Sequence, residues 1–483
     1  MNREFIINII LLIGINLLIK PFYLFGIDAK IQFLVGQESY GIFFTLFNFS
    51  YLFQIINDPG IQNYNSHKVA SDETFIHNNL GKLLQSKVLF GLLFLGAVCV
   101  GGLIMGYPSS YFYILILVTI NHFLATLFIF LRSNIAALGR YRTDSFISGL
   151  DKVLMVVILG YLLYVQKLGT SFQIEYLIYA QMASYVLACL IAGILLRSSV
   201  QKIYWNWSFS YLKNLLKDTL PYALVLLLMT IYSRMDTVML ERILMDNGFQ
   251  SGVYASCYRF MEALNMVGYL FAALLLPMYA RMLKSGDGIA SLSNVALRVM
   301  LLTCFSAALC IGAFRMEILH WLYPYADQVY GDTLALLLIG YLAISISYIY
   351  GTMQVANGTL SSLNWVFFAG VVLNLILNFM LIPTYKVVGA AIATAVTQTL
   401  VMLGQIYLGH RSFSIPYDFG LIFRVSLWIG LSTVGVYYLK SSTNLDLIIA
   451  IGLSISICAL TALLLGVIKK DMLFSLLQNS KEA

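Results

Sequence analysis

Apolar stretches of about twenty residues recur along the whole chain, and they limit its possible folds more than any other feature. Such a stretch, wound as a helix at about 1.5 Å per residue, crosses a hydrocarbon core about 30 Å thick. The helix also pairs its own N–H and C=O groups, as lipid requires of any spanning segment. In the first half these stretches fall at 5–26, 40–57, 86–106, 111–131, 145–165 and 174–196. In the second half they fall at 220–240, 252–276, 294–314, 332–355, 363–382 and 388–408, and two more follow at 419–439 and 445–467. The expected fold is therefore an all-α integral membrane protein of about fourteen transmembrane helices. Composition agrees: of 483 residues, 60% are hydrophobic and 11% charged, against about a quarter charged in a soluble domain. Such a chain has too little polar surface to cover itself in water.

The formal charge of +7 does not indicate nucleic acid, because Lys and Arg are scattered over short loops and form no single basic face. They read as topology signals. With alternate loops assigned to opposite sides, 19 of the 29 Lys and Arg lie with the N-terminus and 6 on the other side, which predicts both termini in the cytoplasm. The first apolar stretch contains Lys20 and lacks a small-residue cleavage site, so it reads as a span and not as a cleaved leader. Cys99, Cys189, Cys257, Cys304, Cys310 and Cys458 sit in apolar runs with no CxxC spacing and read as small buried hydrophobes. His67, His77, His122, His320 and His410 are scattered singly, so neither a metal nor another cofactor is expected. No Walker A run, GxSxG elbow, HExxH or strand-to-helix GxGxxG is present, which argues against an ATPase or a hydrolase.

The spans divide into an N-terminal six-helix lobe at 1–197, a connector at 198–219, a C-terminal six-helix lobe at 220–410, and two additional helices with a short tail at 411–483. The connector carries Lys202, Tyr204, Trp205, Trp207, Lys213 and Lys217 beside Leu212, Leu215, Leu216 and Leu220. It reads as an amphipathic segment on the cytoplasmic membrane surface. An internal repeat links the lobes. Gly41-Ile-Phe-Phe-Thr-Leu-Phe-Asn48-Phe49 in the second span parallels Gly252-Val-Tyr-Ala-Ser-Cys-Tyr-Arg259-Phe260 in the eighth, and Leu138-Gly139 before the fifth parallels Asn357-Gly358 before the eleventh. Repeats in the same order imply pseudo-two-fold lobes about an axis along the membrane normal, with a cargo path between them.

Charges inside spans carry the functional information, since each costs about 2.5–3.5 kcal/mol at a helix centre unless it faces protein or water. Four places stand out: Lys20; Asp151 with Lys152; Arg234 with Asp236; and Arg259 with Glu262. Counted along their spans, Lys20, Arg234 and Arg259 fall at mid-to-outer depth, and cations offered by both lobes suit an anionic cargo. Arg holds phosphate through paired charge-assisted hydrogen bonds while Lys acts as a point charge, so a diphosphate is a natural guest. Lys20, Arg234, Arg259 and Lys152 are the expected substrate-binding residues, and Asp236, Glu262 and Asp151 the candidates for carrying a coupling ion. The competing reading is structural. Arg259 with Glu262, and Arg234 with Asp236, neutralise one another between packed helices, and Lys152 reaches to the cytoplasmic interface.

One further pattern is family-like. Asn357-Gly358, then Gly370-Val-Val-Leu-Asn374-Leu-Ile-Leu-Asn378-Phe-Met-Leu-Ile-Pro383, then Gly389-Ala-Ala-Ile-Ala-Thr394 to Gln398 resembles the signature of the polysaccharide-biosynthesis flippases. These belong to the multidrug, oligosaccharidyl-lipid and polysaccharide exporter superfamily. Asp236-Thr-Val-Met-Leu240, Gly252-Val-Tyr-Ala255 and the opening Glu38-Ser-Tyr-Gly41 to Asp58-Pro-Gly60 extend the resemblance over nearly the whole chain. In physical terms Gly389, Ala390, Ala391, Ala393 and Thr394 make a small-residue face for close helix approach, and Asn374 and Asn378 can hydrogen-bond between helices. The resemblance implies two six-helix lobes that open alternately to either side of a bacterial cytoplasmic membrane. They would turn over an undecaprenyl-diphosphate-linked oligosaccharide for lipopolysaccharide, capsule or exopolysaccharide assembly, with membrane lipids and a glycan polymerase or ligase as partners. It also implies a lipid-tail groove at the last two spans. The alternatives are an ion-coupled multidrug exporter of the same superfamily, or a membrane glycan polymerase or ligase using the loop with Glu317, His320 and Asp327.

Overall fold

The structure is a computed structural model that describes residues 14–71, 74–197, 209–413, 415, 417–442 and 445–468. The described residues are helical almost throughout. Eleven helices are long and apolar enough to span a membrane. One of them, α15 (Leu360–Phe413), reverses at Lys386 (φ 51°, ψ −129°) just after Pro383 and holds two spans. Two further helical stretches in the opening segment, before and after Gly36, bring the count among the described residues to fourteen. There α1 (residues 14–28) runs through a π-helical turn at Phe22–Asp28 into α2 (Ala29–Leu52), and the chain reverses at Gly36 (φ 82°).

The chain divides into two compact units, Met1–Ala255 and Ser256–Ala483. In the first, α3 (Gln54–Asn57), α4 (Ile61–Ser71), α5 (Thr74–Ile104) and α6 (Ser109–Ala137) follow α2. After them come α7 (Tyr141–Ile147), α8 (Leu150–Gly160), α9 (Ile174–Arg197) and α10 (Phe209–Leu244). Helix α6 is the central post, packed on α2, α4, α5 and α9. Its C-terminal half buries Phe128, Phe130 and Ile135 against Leu83 and Phe90 of α5 and Ala188 and Ala192 of α9. Leu212 and Leu215, expected on a membrane-surface connector, lie on the first turns of α10 and are buried in that same cluster. Residues 198–208 of that connector lie outside the described residues.

The first reversal also differs from expectation. Residues 27–39, read from the sequence as the first extracytoplasmic loop, are helical up to Gly36, because their polar side chains find protein partners. Gln32 Nε2 donates to Gln37 Oε1 at 2.7 Å and to the Gly252 carbonyl at 2.8 Å. Asp28 accepts from the Tyr40 hydroxyl at 2.6 Å. Facing this reversal is the turn between α10 and α11 (Phe249–Ser285), where Met245, Asn247 and Gly248 all take positive φ. The two backbones touch. A Cβ at Gly41 would lie 1.8 Å from the Gly248 carbonyl oxygen and 2.6 Å from Gly252 N, and one at Gly252 would lie 2.2 Å from Gln37 O. The glycines that open the two repeated sequence segments thus pack against each other. Through this contact the seventh span, expected to open the second lobe, lies along α2 in the first unit.

The second unit takes in the remainder of α11, then α12 (Ala290–Ala313), α13 (Arg315–Leu322), α14 (Gln328–Ala356), α15, α16 (Phe419–Ser442) and α17 (Leu447–Leu464). The small-residue face of α15 receives α14 closely: a Cβ on Gly340 would meet Thr394 Cγ2 at 3.5 Å. Asn378 Nδ2 donates to Asn374 Oδ1 at 3.1 Å along one face of α15. The last two helices dock on α12 at three levels. Arg298 Nη1 donates to the Val467 carbonyl just past the end of α17 at 2.8 Å. At mid-depth Trp428, fully buried, packs edge-on to Phe305 and donates Nε1 to the Cys458 carbonyl at 2.9 Å. Toward the other end Lys440 reaches the Ala313 carbonyl at 2.6 Å and Glu317 at 2.7 Å.

Candidate functional site

In the first unit two of the expected cations, Lys152 and Arg234, are held on tyrosine rings. Lys152 sits in the first turn of α8, where the π turn of α1 brings Tyr23 beside it. A π turn adds a residue to the helical repeat and re-aims side chains, so it recurs at functional sites. Lys152 Nζ lies 5.0 Å from the Tyr23 ring centre and 5.7 Å from that of Tyr185 on α9. It is also 3.6 Å from the neighbouring Asp151 carboxylate. Each cation–π contact offsets about 0.5–2 kcal/mol of the cost of holding a charge within the membrane. Two rings and a carboxylate together are of the same size as that cost. The Lys152 side chain keeps 21% of its surface exposed.

Arg234 on α10 faces α2. Residues Phe44, Phe47, Asn48 and Tyr51 recur at helical spacing along one side of α2, and α6 brings His122 against the same side. The Asn48 side-chain N–H donates to the Phe44 carbonyl at 2.8 Å, which turns its Oδ1 outward to accept from Arg234 Nη1 at 3.2 Å. The guanidinium carbon lies 5.2 Å from the Tyr51 ring centre. The buried His122 ring lies 4.4 Å from Phe47 and 5.4 Å from Tyr51, with Nε2 3.1 Å from the Phe47 carbonyl. Each of the two cations is thus held on tyrosine, Lys152 on Tyr23 and Tyr185 and Arg234 on Tyr51. Arg234 is half-buried and presents charge and N–H donors together, the chemistry that recognises a phosphate.

The other expected residues are placed as follows. Lys20 is half-buried on α1, one residue before Pro21 and the π turn. Asp236 is 1% exposed and accepts from the Tyr254 hydroxyl at 3.0 Å, a contact that ties α10 to α11. Arg259 belongs to the second unit, is 3% exposed, and donates to the Tyr323 hydroxyl in the loop before α14. Tyr325 and Tyr330 continue that aromatic group, at 6.1 and 6.4 Å between successive ring centres. Glu262 is half-buried on α11. Sequence reasoning does not single out Tyr23, Tyr51, Tyr185, Asn48 or Asp28, and it considers His122 only as a metal ligand. The available signal was polar and aromatic residues at i, i+4 and i+7 inside apolar runs.

The fold defines a polytopic α-helical membrane protein. The chain belongs to the polysaccharide biosynthesis protein family, whose family profile matches residues 6–283. No curated protein matches it by sequence. Among solved structures it is similar to a lipid II flippase MurJ in an inward closed conformation, at 12% identity and TM-score 0.68, over 95% of this chain and 98% of that one. It is also similar to a multidrug resistance MATE family transporter of the MOP superfamily. The inward-facing form of that protein matches at 15% identity and TM-score 0.61 over 81% of this chain and 94% of that one. Its outward-facing form matches at 14% and 0.60 over 84% and 95%. At these identities the likeness is one of fold.

Proposed function

We propose that this protein is a flippase that carries a polyprenyl-diphosphate-linked oligosaccharide across a bacterial cytoplasmic membrane by alternating access, with both termini in the cytoplasm. It binds and moves its cargo without chemical change. The carrying observation is the pair of tyrosine-held cations, Lys152 on Tyr23 and Tyr185 and Arg234 on Tyr51, in a chain of the polysaccharide biosynthesis family. A diphosphate needs cations, and a glycan needs aromatic faces and hydrogen-bonding groups; these residues offer both. Membrane lipids and a polymerase or ligase of the same assembly pathway are its partners. Lys20 in the first unit and Arg259 in the second are further candidate cations for the cargo, and Asp151, Asp236 and Glu262 are the candidate acidic residues for ion coupling. An exporter of organic cations is the weaker reading, because the tyrosine faces such a cargo would occupy already carry the protein's own cations.

Replacing Arg234 or Lys152 singly with Ala is expected to lower translocation of the lipid-linked glycan about ten- to a hundredfold. That corresponds to the loss of a charge-assisted contact of about 1.5–3 kcal/mol. Protein levels in the membrane should not change. Transport at the wild-type rate in both variants refutes the site. In detergent, farnesyl diphosphate should raise the unfolding temperature of the wild-type protein and tetraphenylphosphonium should not; the reverse result favours the drug exporter.

A further inference from the structure

His122 is the titratable side chain packed directly against the Arg234 site, and the reading above gives it no task. Its ring is enclosed by Phe47 and Tyr51 of α2. Since a carbonyl can only accept, the 3.1 Å contact to Phe47 O makes Nε2 the N–H donor and leaves the proton-accepting lone pair on Nδ1. Among the described residues Nδ1 makes no hydrogen bond. The charged and titratable groups around the ring are few. From α10, Arg234 rests on the far partner of the same stack, Tyr51. From α2 comes the phenol of Tyr51. Toward the cytoplasmic ends, Asn57 donates to the His122 carbonyl at 3.4 Å, and beside it Asp58 is neutralised by Lys87 of α5 at 2.7 Å.

A proton on Nδ1 would therefore sit next to an existing cation, and a low-dielectric interior opposes this strongly. A diphosphate on Arg234 reverses that opposition, since it brings at least two negative charges to the same place. We infer that His122 is a proton-binding partner of the anion site: it takes a proton from water onto Nδ1 as a diphosphate binds at Arg234 and gives it back on release. The inference rests on the anionic cargo proposed above. By linkage, a group protonated more in the complex than in the free protein makes binding tighter as pH falls, by up to tenfold per pH unit for one proton. His122 acts on the ligand through charge and has no need to touch it.

The test is calorimetry of farnesyl diphosphate binding to the detergent-solubilised full chain between pH 5.5 and 8, in buffers of different ionisation enthalpy, which counts the protons taken up. His122→Gln keeps an N–H for the Phe47 carbonyl but cannot titrate, and His122→Phe fills the aromatic stack if the Gln variant does not fold. Proton uptake by the ligand itself is common to all the proteins, so the difference between them is the readout. Wild type should take up as much as one proton more than either variant, and the affinities should converge within about twofold at the alkaline end, where His122 is neutral in both. Equal proton counts across the pH range overturn the assignment. Failure of the wild type to bind farnesyl diphosphate at any pH overturns the anionic-cargo reading and this inference with it.

Discussion

Asp58 and Lys87 show how much depends on single buried groups. Their 2.7 Å ion pair joins the break after α3 to α5, with the lysine side chain fully buried. Asp58 also accepts from Gly60 N at 3.1 Å, which shapes the turn into α4. Removing one partner strands a charge, so Lys87→Ala is expected to destabilise the protein by about 3–5 kcal/mol, while Asp58→Asn combined with Lys87→Met recovers most of that loss. Thermal unfolding in detergent should place the double variant well above the single one; equal losses would mean the pair is not coupled. Gly41 makes the complementary point about backbone. Ala there has to displace a carbonyl oxygen 1.8 Å from its Cβ, at a cost of about 1–3 kcal/mol. Gly96, with nothing within 4 Å, should accept Ala with a gain of about 0.5–1 kcal/mol from helix propensity. The sequence marks Gly41 and Gly252 as equivalent positions of a repeat. That the two are packed on each other follows from three positive-φ residues in the α10–α11 turn, which periodicity does not reveal.

Among the elements, the α16–α17 hairpin best separates what a hydropathy pattern says from what packing decides. Two apolar runs at the end of the chain read as spans and form spans. Neither run shows that Arg298, Trp428 and Lys440 fasten them to α12 and its end at three depths. With those anchors the pair behaves as part of the second unit and not as a loose lipid-facing addition. Trp428→Ala empties a fully buried ring site and should cost about 3–5 kcal/mol. Limited proteolysis ought to cut the 414–418 linker sooner in that variant than in wild type; unchanged cleavage would argue that the anchors at the two ends suffice. Helix α10 gives a similar lesson at its N-terminal end, where Leu212 and Leu215 have the spacing of a membrane-surface helix yet bury their apolar stripe in protein. An apolar stripe specifies burial; the partner is whichever apolar surface the fold brings there.

Over the whole molecule, the orientation assigned by the 19 to 6 division of Lys and Arg predicts that Arg3→Cys and Lys481→Cys are labelled by a membrane-impermeant maleimide only after the membrane is opened. Labelling of either from outside intact cells would invert the topology. The number of spans, their order, the all-helical class and the family likeness were all legible in the residues, because lipid imposes length and polarity on each span separately and every span declares itself locally. The cations were legible too, since an uncompensated charge is conspicuous in an apolar run. Their surroundings were not. Tyr23 reaches Lys152 only through the π turn in α1, and Tyr51 and Asn48 receive Arg234 only because α10 lies along α2. Arg259 is covered by Tyr323 from a loop 64 residues away in sequence. Secondary structure and membrane insertion are short-range consequences of composition and spacing, and the sequence alone determined them. The partners of each charge depend on which helices pass close to one another, a collective result of packing, and only the tertiary structure decided it.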